Sequence, residues 1–461
     1  MPDTSAPLVV IDVVGLTPGL LGEHTPHLNA LAADGFQAEL GTVLPAVTCT
    51  AQATLLTGSP PRDHGIVANG WYFRDLAEVR FWLQSNALVQ MPKVWEVARD
   101  RRPGFTCANL FWWYNMYSSA DWSVTPRPVY PADGRKIPAI YAEPPELAER
   151  LTAELGEFPF FHFWGPAADI RSSRWIAGAA RIVFDAHRPD LTLVYLPHLD
   201  YNLQRLGPND PAIAADLRAV DEVAGELIDH CRGQGAEVVV LSEYGITPAA
   251  GCLDINRALR EAGLLRVRDT VAGELLDPGA SRAFAVADHQ IAHVYVRDRE
   301  EIATVEAILE GGQGIDLVLD AEGKRAAGLD HERAGDLVAV AEPGYWFSYY
   351  YWLDDARAPD FARTVDIHRK PGYDPAELFL DPDLPLVKAR IAWRLAEKRL
   401  GMRSLMDVIP LKAALVKGTH GRLPDRPEDG PVLLCSNRRG ACDRMAMTAV
   451  RDFLLERLGL A

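Results

Sequence analysis

Three short, continuous apolar runs, each followed by a carboxylate, constrain this chain most. Leu8-Val-Val-Ile11 runs into Asp12, Leu191-Thr-Leu-Val-Tyr195 is followed closely by Asp200, and Glu237-Val-Val-Val-Leu241 by Ser242-Glu243-Tyr244-Gly245. Runs that do not alternate suit strands buried on both faces. Helical signals lie between them. Thr25 is placed as an N-cap with Pro26 at the first helical position and Gly35 at the stop, and Asp216 to His230 puts Leu217, Val220, Val223, Ala224, Leu227 and Ile228 on one stripe. Strands alternating with helices predict an α/β fold whose sheet is mainly parallel, and ligands in such sheets bind beyond the carboxyl ends of the strands. One carboxylate there is a turn former or a helix cap. Asp12, Asp200 and Glu243 at the same edge point instead to a metal or acid/base site.

At 461 residues the chain exceeds the ~250–300 that a single core usually reaches, so a large core with an insertion, or two domains, is expected. The core is placed at about 1–254 and 371–461, with 255–370 as an insertion or cap. That insertion contains the strand-like Ile291-Ala-His-Val-Tyr-Val296 and the aromatic run Tyr345-Trp-Phe-Ser-Tyr-Tyr-Tyr-Trp352, which reads as edge-strand or core packing, or as a platform beside a substrate. Val124 to Pro145, rich in proline and tyrosine, reads as an ordered loop over a site. Val387, Ile391 and Leu395 mark a late helix, Pro431 to Leu434 a last strand, and Met447 to Leu458 a terminal amphipathic helix.

Apolar residues at 48% and charged residues at 24% are ordinary for a soluble globular protein. The formal charge of −16 speaks against a nucleic-acid backbone as partner, since phosphate binding needs a positive surface. An anionic small substrate stays open, because a metal ion can dominate the local field. Six cysteines scattered without CxxC spacing read as reduced thiols. The first residues carry no basic region or cleavage site, and no apolar run approaches ~20 residues. Neither a signal peptide, a span nor a membrane partner is expected, the cytoplasm is the expected location, and the oligomeric state is left open.

The segment Leu44-Pro-Ala-Val-Thr-Cys-Thr-Ala-Gln-Ala-Thr-Leu-Leu-Thr-Gly58, followed by Asp63-His-Gly-Ile-Val-Ala-Asn69, carries the chemistry. It sets Thr48 just before a helix start, where free backbone N–H groups and the helix dipole favour an anion. A hydroxyl there can attack a phosphorus or sulfur centre. The plainer alternative is that Thr48 caps the helix.

Together, Asp12, Thr48, Asn69, Asp200, Glu243 and His420 resemble the alkaline phosphatase superfamily in its nucleotide pyrophosphatase/phosphodiesterase branch, with some likeness to phosphonoacetate hydrolase. The resemblance covers about 1–75, 170–300 and 415–435. Thr48 and Asn69 have the separation of that family's nucleophile and phosphoryl-binding asparagine, and Thr57-Gly58 and His64-Gly-Ile66 match its signature. The resemblance implies a threonine nucleophile activated by metal, a second ion polarising the phosphoryl oxygen, and Asn69 holding transition-state charge. It places Asp12, Thr48, Glu243 and Tyr244 around one divalent ion, and Asp200, Gln204 and His420, the last in Gly418-Thr-His-Gly421, around the other. Glu243, Tyr244 and Gln204 stand where the family has Asp, His and His. Their oxygen donors favour Mn, Mg or Fe over Zn as the one or two ions held. The function implied is metal-dependent hydrolysis of a phosphoester, phosphodiester/pyrophosphate or phosphonate; the alternative is a catalytically degenerate binding protein of the same fold.

Cys49 does not make a sulfatase, because Cys-Thr-Ala-Gln-Ala lacks the Cys-x-Pro-x-Arg pattern. It also stands where the family often has a base-stacking phenylalanine, so nucleotide preference is not supported. His289 and His293 in Asp288-His-Gln-Ile-Ala-His293 are expected on one side of a strand, as structural histidines or as substitutes for a missing imidazole. His331 belongs to a turn, and His368 is the best spare imidazole after His420. The aromatic stretches Phe111 to Tyr117 and Phe160 to Trp164 pack under the cap or line the leaving-group pocket.

Overall fold

The computed structural model describes residues 6–132 and 135–461; residues 1–5 at the head of the expected core, and 133–134 inside the proline-rich stretch, lie outside the described residues. A nine-stranded sheet organises the chain, with Leu8–Val13 near its middle. Leu191–Leu196 and Glu237–Leu241 pair with it in parallel, Asp12 lying opposite Tyr195 and Leu241. Both Leu8–Val13 and Leu191–Leu196 are buried at every residue, as unalternating apolar runs require. Cys107–Leu110 and Trp122–Pro126 continue the parallel order, and Ile140–Glu143 closes that edge antiparallel. On the other side Val432–Cys435 runs antiparallel to Glu237–Leu241 and to Phe36–Gly41, and Arg444–Ala446 is the edge strand.

Helices Pro26–Asp34, Ile170–His187 and Ile213–Gly233 pack together, and the stripe from Leu217 to Ile228 faces the core. Thr25 occupies the N-cap position of Pro26–Asp34 but does not cap it; its hydroxyl bonds to Gly22. The first-turn N–H groups of His27 and Leu28, which have no partner within the helix, donate instead to Asp221 on the neighbouring helix, at 3.1 and 2.9 Å. A cap normally supplied locally is thus made between helices, and it stabilises their packing by about 1 kcal/mol.

A second hydrophobic cluster forms around a four-stranded antiparallel sheet in the order Ala283–Asp288, Ile291–Val296, Leu337–Ala341, Ile315–Leu319. The aromatic run is its packing material. Tyr345–Phe347 pairs with Gly251–Leu253, while Tyr349 to Trp352 are buried beneath the sheet, so the platform alternative falls. The hairpin Gly70–Phe73 and Glu78–Phe81 joins this cluster through Tyr72, whose ring meets Phe284 and Tyr295 at 5.0 and 5.3 Å. The late helix, Val387–Arg399, has no buried residue, and the terminal segment is a short turn followed by the helix Val450–Arg457. All six cysteines are unpaired. Among the described residues no helix is long and apolar enough to cross a membrane.

Candidate active site

Thr48 is the first residue of the buried helix Thr48–Thr57, with Val47 at the N-cap in extended conformation. The expected helix start therefore lies one residue earlier, and no side chain caps it. The Thr48 hydroxyl is left free for Tyr244, whose Oη is 3.0 Å away. Tyr244 Oη donates to Asp200 Oδ1 at 3.3 Å, so the Thr48 hydroxyl is the donor to Tyr244. Asp200, on helix His198–Leu206, accepts a second bond on Oδ2 from Gln204 Nε2 at 2.8 Å, one helical turn on. Tyr373 completes the series by donating to Gln204 Oε1 at 2.9 Å. Burial pushes the Asp200 carboxyl up to about 7.

Asp12 and Glu243 are fully buried side by side. Between them stands the amide of Gln52, one turn after Thr48 on the same helix. Its Nε2 donates to Asp12 Oδ2 at 3.3 Å and to Glu243 Oε1 at 2.5 Å, and its Oε1 accepts the Trp113 N–H at 2.7 Å. The Trp113 bond fixes the amide's orientation with its donors toward the carboxyls. Burial raises Asp12 to about 7, and burial together with the neighbouring Asp12 charge raises Glu243 well above its ordinary value.

Asn69 is an anchor. Its Oδ1 accepts the Cys49 N–H at 2.9 Å, while its Nδ2 and backbone N–H donate to Asp288 at 3.1 and 2.8 Å. Asp288, buried, is pushed up to about 6 and also bonds His289 Nδ1 at 2.8 Å. His289 does not share a strand with His293 as expected. It sits in the turn before Ile291–Val296 with φ 59°, a rare left-handed backbone for a non-glycine residue. His293 is structural, donating to Val67 O at 3.0 Å and accepting the Gly335 N–H at 3.1 Å. His289 instead joins a four-ring stack. Tyr373 and His289 have centroids 3.6 Å apart, His289 and His420 3.7 Å, and His420 and Tyr244 3.6 Å with an interplanar angle of 7°. His420 Nδ1 donates to Ala46 O at 2.8 Å, its Nε2 is 4.0 Å from Asp200 Oδ1, and burial lowers the basicity of both histidines.

The residues expected around two ions therefore converge, yet neither set is arranged around an ion. Among the described residues no group of three or more His, Cys, Asp or Glu is placed to hold one. The position between Asp12 and Glu243 is filled by hydrogen-bond donors of Gln52, and an NH₂ group cannot ligate. At Asp200 both oxygens are already engaged, and His420 is stacked between Tyr244 and His289. Asp12 Oδ1 and Glu243 Oε2 are buried without a hydrogen-bond partner, yet with Gln52 between these carboxyls the donor set as arranged does not fit the family's metal pair.

Thr48, Asp200, Tyr244, His289, Tyr373 and His420 form one end of a cavity of ≈ 110 Å³. Its walls include Trp113, Phe160, Phe163 and Trp164 from the two aromatic stretches, and Pro126 to Lys136 contributes Arg127, Tyr130 and Lys136 from the expected covering loop. His368 lines it too, with Nδ1 on Phe81 O at 3.3 Å, outside the ring stack. Asn69 does not line it. His331 lies in its turn, bonding Gln90 and the Arg333 N–H. Sequence reading missed Gln52, Tyr373 and Asp288; only Gln52 had a usable signal, its helical spacing from Thr48.

Residues 8–374 match the type I phosphodiesterase / nucleotide pyrophosphatase family. An uncharacterized pyrophosphatase/phosphodiesterase from Schizosaccharomyces pombe is 24% identical over 247 residues, 51% of this chain, and the match spans 42% of that relative's length. Phosphonoacetate hydrolase from Sinorhizobium meliloti 1021, solved with phosphonoacetate, has a TM-score of 0.64 at 16% identity, covering 99% of this chain and 96% of that one. Murine ectonucleotide pyrophosphatase / phosphodiesterase 5 has a TM-score of 0.59 at 16% identity, covering 99% and 95%. These likenesses establish an alkaline-phosphatase-like fold.

Proposed function

The chain belongs to the type I phosphodiesterase / nucleotide pyrophosphatase family, a family of hydrolases, and from that premise we propose that it hydrolyses a small phosphoester, phosphodiester/pyrophosphate or phosphonate with Thr48 as nucleophile. The observation that carries this reading is the hydrogen-bonded chain from Thr48 through Tyr244 to Asp200. As Thr48 Oγ1 bonds to the phosphorus, its proton passes to Tyr244 Oη while the Tyr244 proton passes to Asp200, and the bond to the leaving group breaks. Water then cleaves the threonyl ester, the relay returning its proton. A carboxylate near neutrality suits the acceptor role. The first-turn N–H groups of Thr48 and Thr50 have no partner within the helix and favour the charge that builds on the phosphoryl oxygens. Asn69 supports this geometry by holding the Cys49 N–H. No step is routed through a metal.

A second reading is favoured by one specific observation. The Gln52 amide stands between Asp12 and Glu243 and the four-ring stack packs His289 and His420 between two tyrosines, which suits a catalytically degenerate protein that binds such a ligand without turnover. The discriminating experiment is a panel of phosphomonoester, phosphodiester, pyrophosphate and phosphonate substrates, assayed with and without Mg, Mn and Zn, beside Thr48→Ala. Turnover abolished in Thr48→Ala supports hydrolysis; calorimetric binding of the same compounds with no turnover in any condition supports the second reading.

A further inference from the structure

Among the described helices longer than two turns, Val387–Arg399 is unusual because nothing in it is buried. Val387 and Ile391 rest against a small cluster of Ala376, Val408 and Ile409. The opposite face is apolar and open. At 100° per residue, Leu386, Ala389, Trp393, Ala396 and Leu400 share one face, and all are exposed, Leu386 at 81%, Trp393 at 65% and Leu400 at 77%. Met402 and Leu405 extend the exposed surface past the helix end.

Charge is segregated around this face. From Leu386 to Arg403 the chain places Lys388, Arg390, Arg394, Lys398, Arg399 and Arg403 against the single anion Glu397, in a chain whose formal charge is −16. Arg390 and Arg394 pair with Asp407, while Lys388, Lys398 and Arg399 have no ion-pair partner among the described residues. A solvated surface helix has no need of exposed tryptophan and leucine, and a core helix would bury them. An apolar face with a central tryptophan, bordered by lysine and arginine, has the composition of a helix that lies in a membrane interface.

We propose that Leu386–Arg403 docks this protein on an anionic membrane surface, with Trp393 and Leu400 in the headgroup and acyl boundary and the flanking cations on lipid phosphates. No spanning segment is needed for such attachment. The inference is independent of the reaction at Thr48, and its test reads partition rather than turnover.

The full chain is sedimented with vesicles of phosphatidylcholine alone and of phosphatidylcholine with one quarter phosphatidylglycerol, at low and at 0.5 M salt, roughly bracketing strong and weak screening. Partition onto the anionic vesicles is expected at low salt, to be about tenfold weaker on neutral ones, and to fall at high salt. Trp393→Ala with Leu400→Ala, and separately Lys388→Glu with Arg399→Glu, each lower it about tenfold, with unchanged circular dichroism and melting temperature. Equal partition of parent and variants, equal binding to both lipids, or no binding overturns the proposal. So does a concentration-dependent dimer that Trp393→Ala with Leu400→Ala dissociates in the absence of lipid, which assigns the face to a second copy.

Discussion

The amide of Gln52 donates to the Glu243 carboxyl at 2.5 Å, from a position one helical turn beyond Thr48. The same nitrogen reaches Asp12, so two carboxyls that would repel are bridged by a neutral donor. Metal content follows from this arrangement. The purified protein is expected to hold much less than one equivalent of divalent ion, with a melting temperature that EDTA or added Zn moves by no more than about 1 °C, because a ligand that stabilises only the folded state must bind it. Gln52→Ala opens the position, and Mn or Zn is then expected to raise its melting temperature. Elemental analysis with thermal melts checks this; two tightly bound zinc ions in the unmodified protein would show that His289 has moved to complete a site.

Removing the relay should slow chemistry and spare folding. Tyr244→Phe keeps the stacking on His420 but deletes the hydroxyl between Thr48 and Asp200. A fall in kcat of about 10²–10⁴ is expected, the usual contribution of a positioned proton acceptor. Thr48→Ser should retain measurable turnover and Thr48→Ala should not. Steady-state kinetics beside melting curves checks all three, and a Tyr244→Phe protein of normal kcat removes the relay from the mechanism.

Asn69→Ala separates anchoring from direct contact with substrate. The substitution leaves the buried Cys49 N–H without its partner and removes one of the two donors to Asp288 Oδ1, His289 Nδ1 remaining, which costs about 1–3 kcal/mol. Urea unfolding should register that loss. A drop in kcat with no loss of stability would mean instead that the amide touches the transition state.

The buried histidines make a signed prediction. His64 Nδ1 accepts the Ile66 N–H and Nε2 donates to Thr54 Oγ1, and burial lowers this imidazole to about 3. Its folded value lies below the unfolded ~6.5, so between those values the unfolded chain binds the extra proton. Its contribution is present above pH 6.5 and is lost as pH falls. Relative to His64→Gln, the parent should lose about 2 kcal/mol of its advantage between pH 7 and pH 5. Asp12, Asp200 and Asp288, all raised, act with the opposite sign, so the difference between the two proteins, measured by urea titration at both values, is the informative quantity.

Local patterns were legible wherever local chemistry decided the outcome. Unalternating apolar runs marked Leu8–Val13, Leu191–Leu196 and Glu237–Leu241, and the stripe from Leu217 to Ile228 fixed the face of its helix. Thr48, Tyr244, Asp200, Gln204 and His420 were readable from a family pattern and do meet in space. What binds them was not readable. Tyr373 reaches Gln204 across the two hydrophobic clusters, and Asp221 caps a helix far earlier in the chain, contacts set by tertiary packing with no periodic trace. His289 was misplaced because a strand pattern was extended across a turn whose backbone is left-handed.

Val432–Cys435 lies between Phe36–Gly41 and Glu237–Leu241, so the sheet is contiguous only when one of the last strands in the sequence has been inserted between two made much earlier. During synthesis on the ribosome the strand leading into the Thr48 segment must therefore wait, its edge unpaired, until Val432–Cys435 has emerged. Non-local pairing of this kind is slow and leaves hydrophobic edges open to other chains. Thr48 thus acquires its setting only once that late strand is in place, and a chain interrupted before Val432–Cys435 has no assembled site.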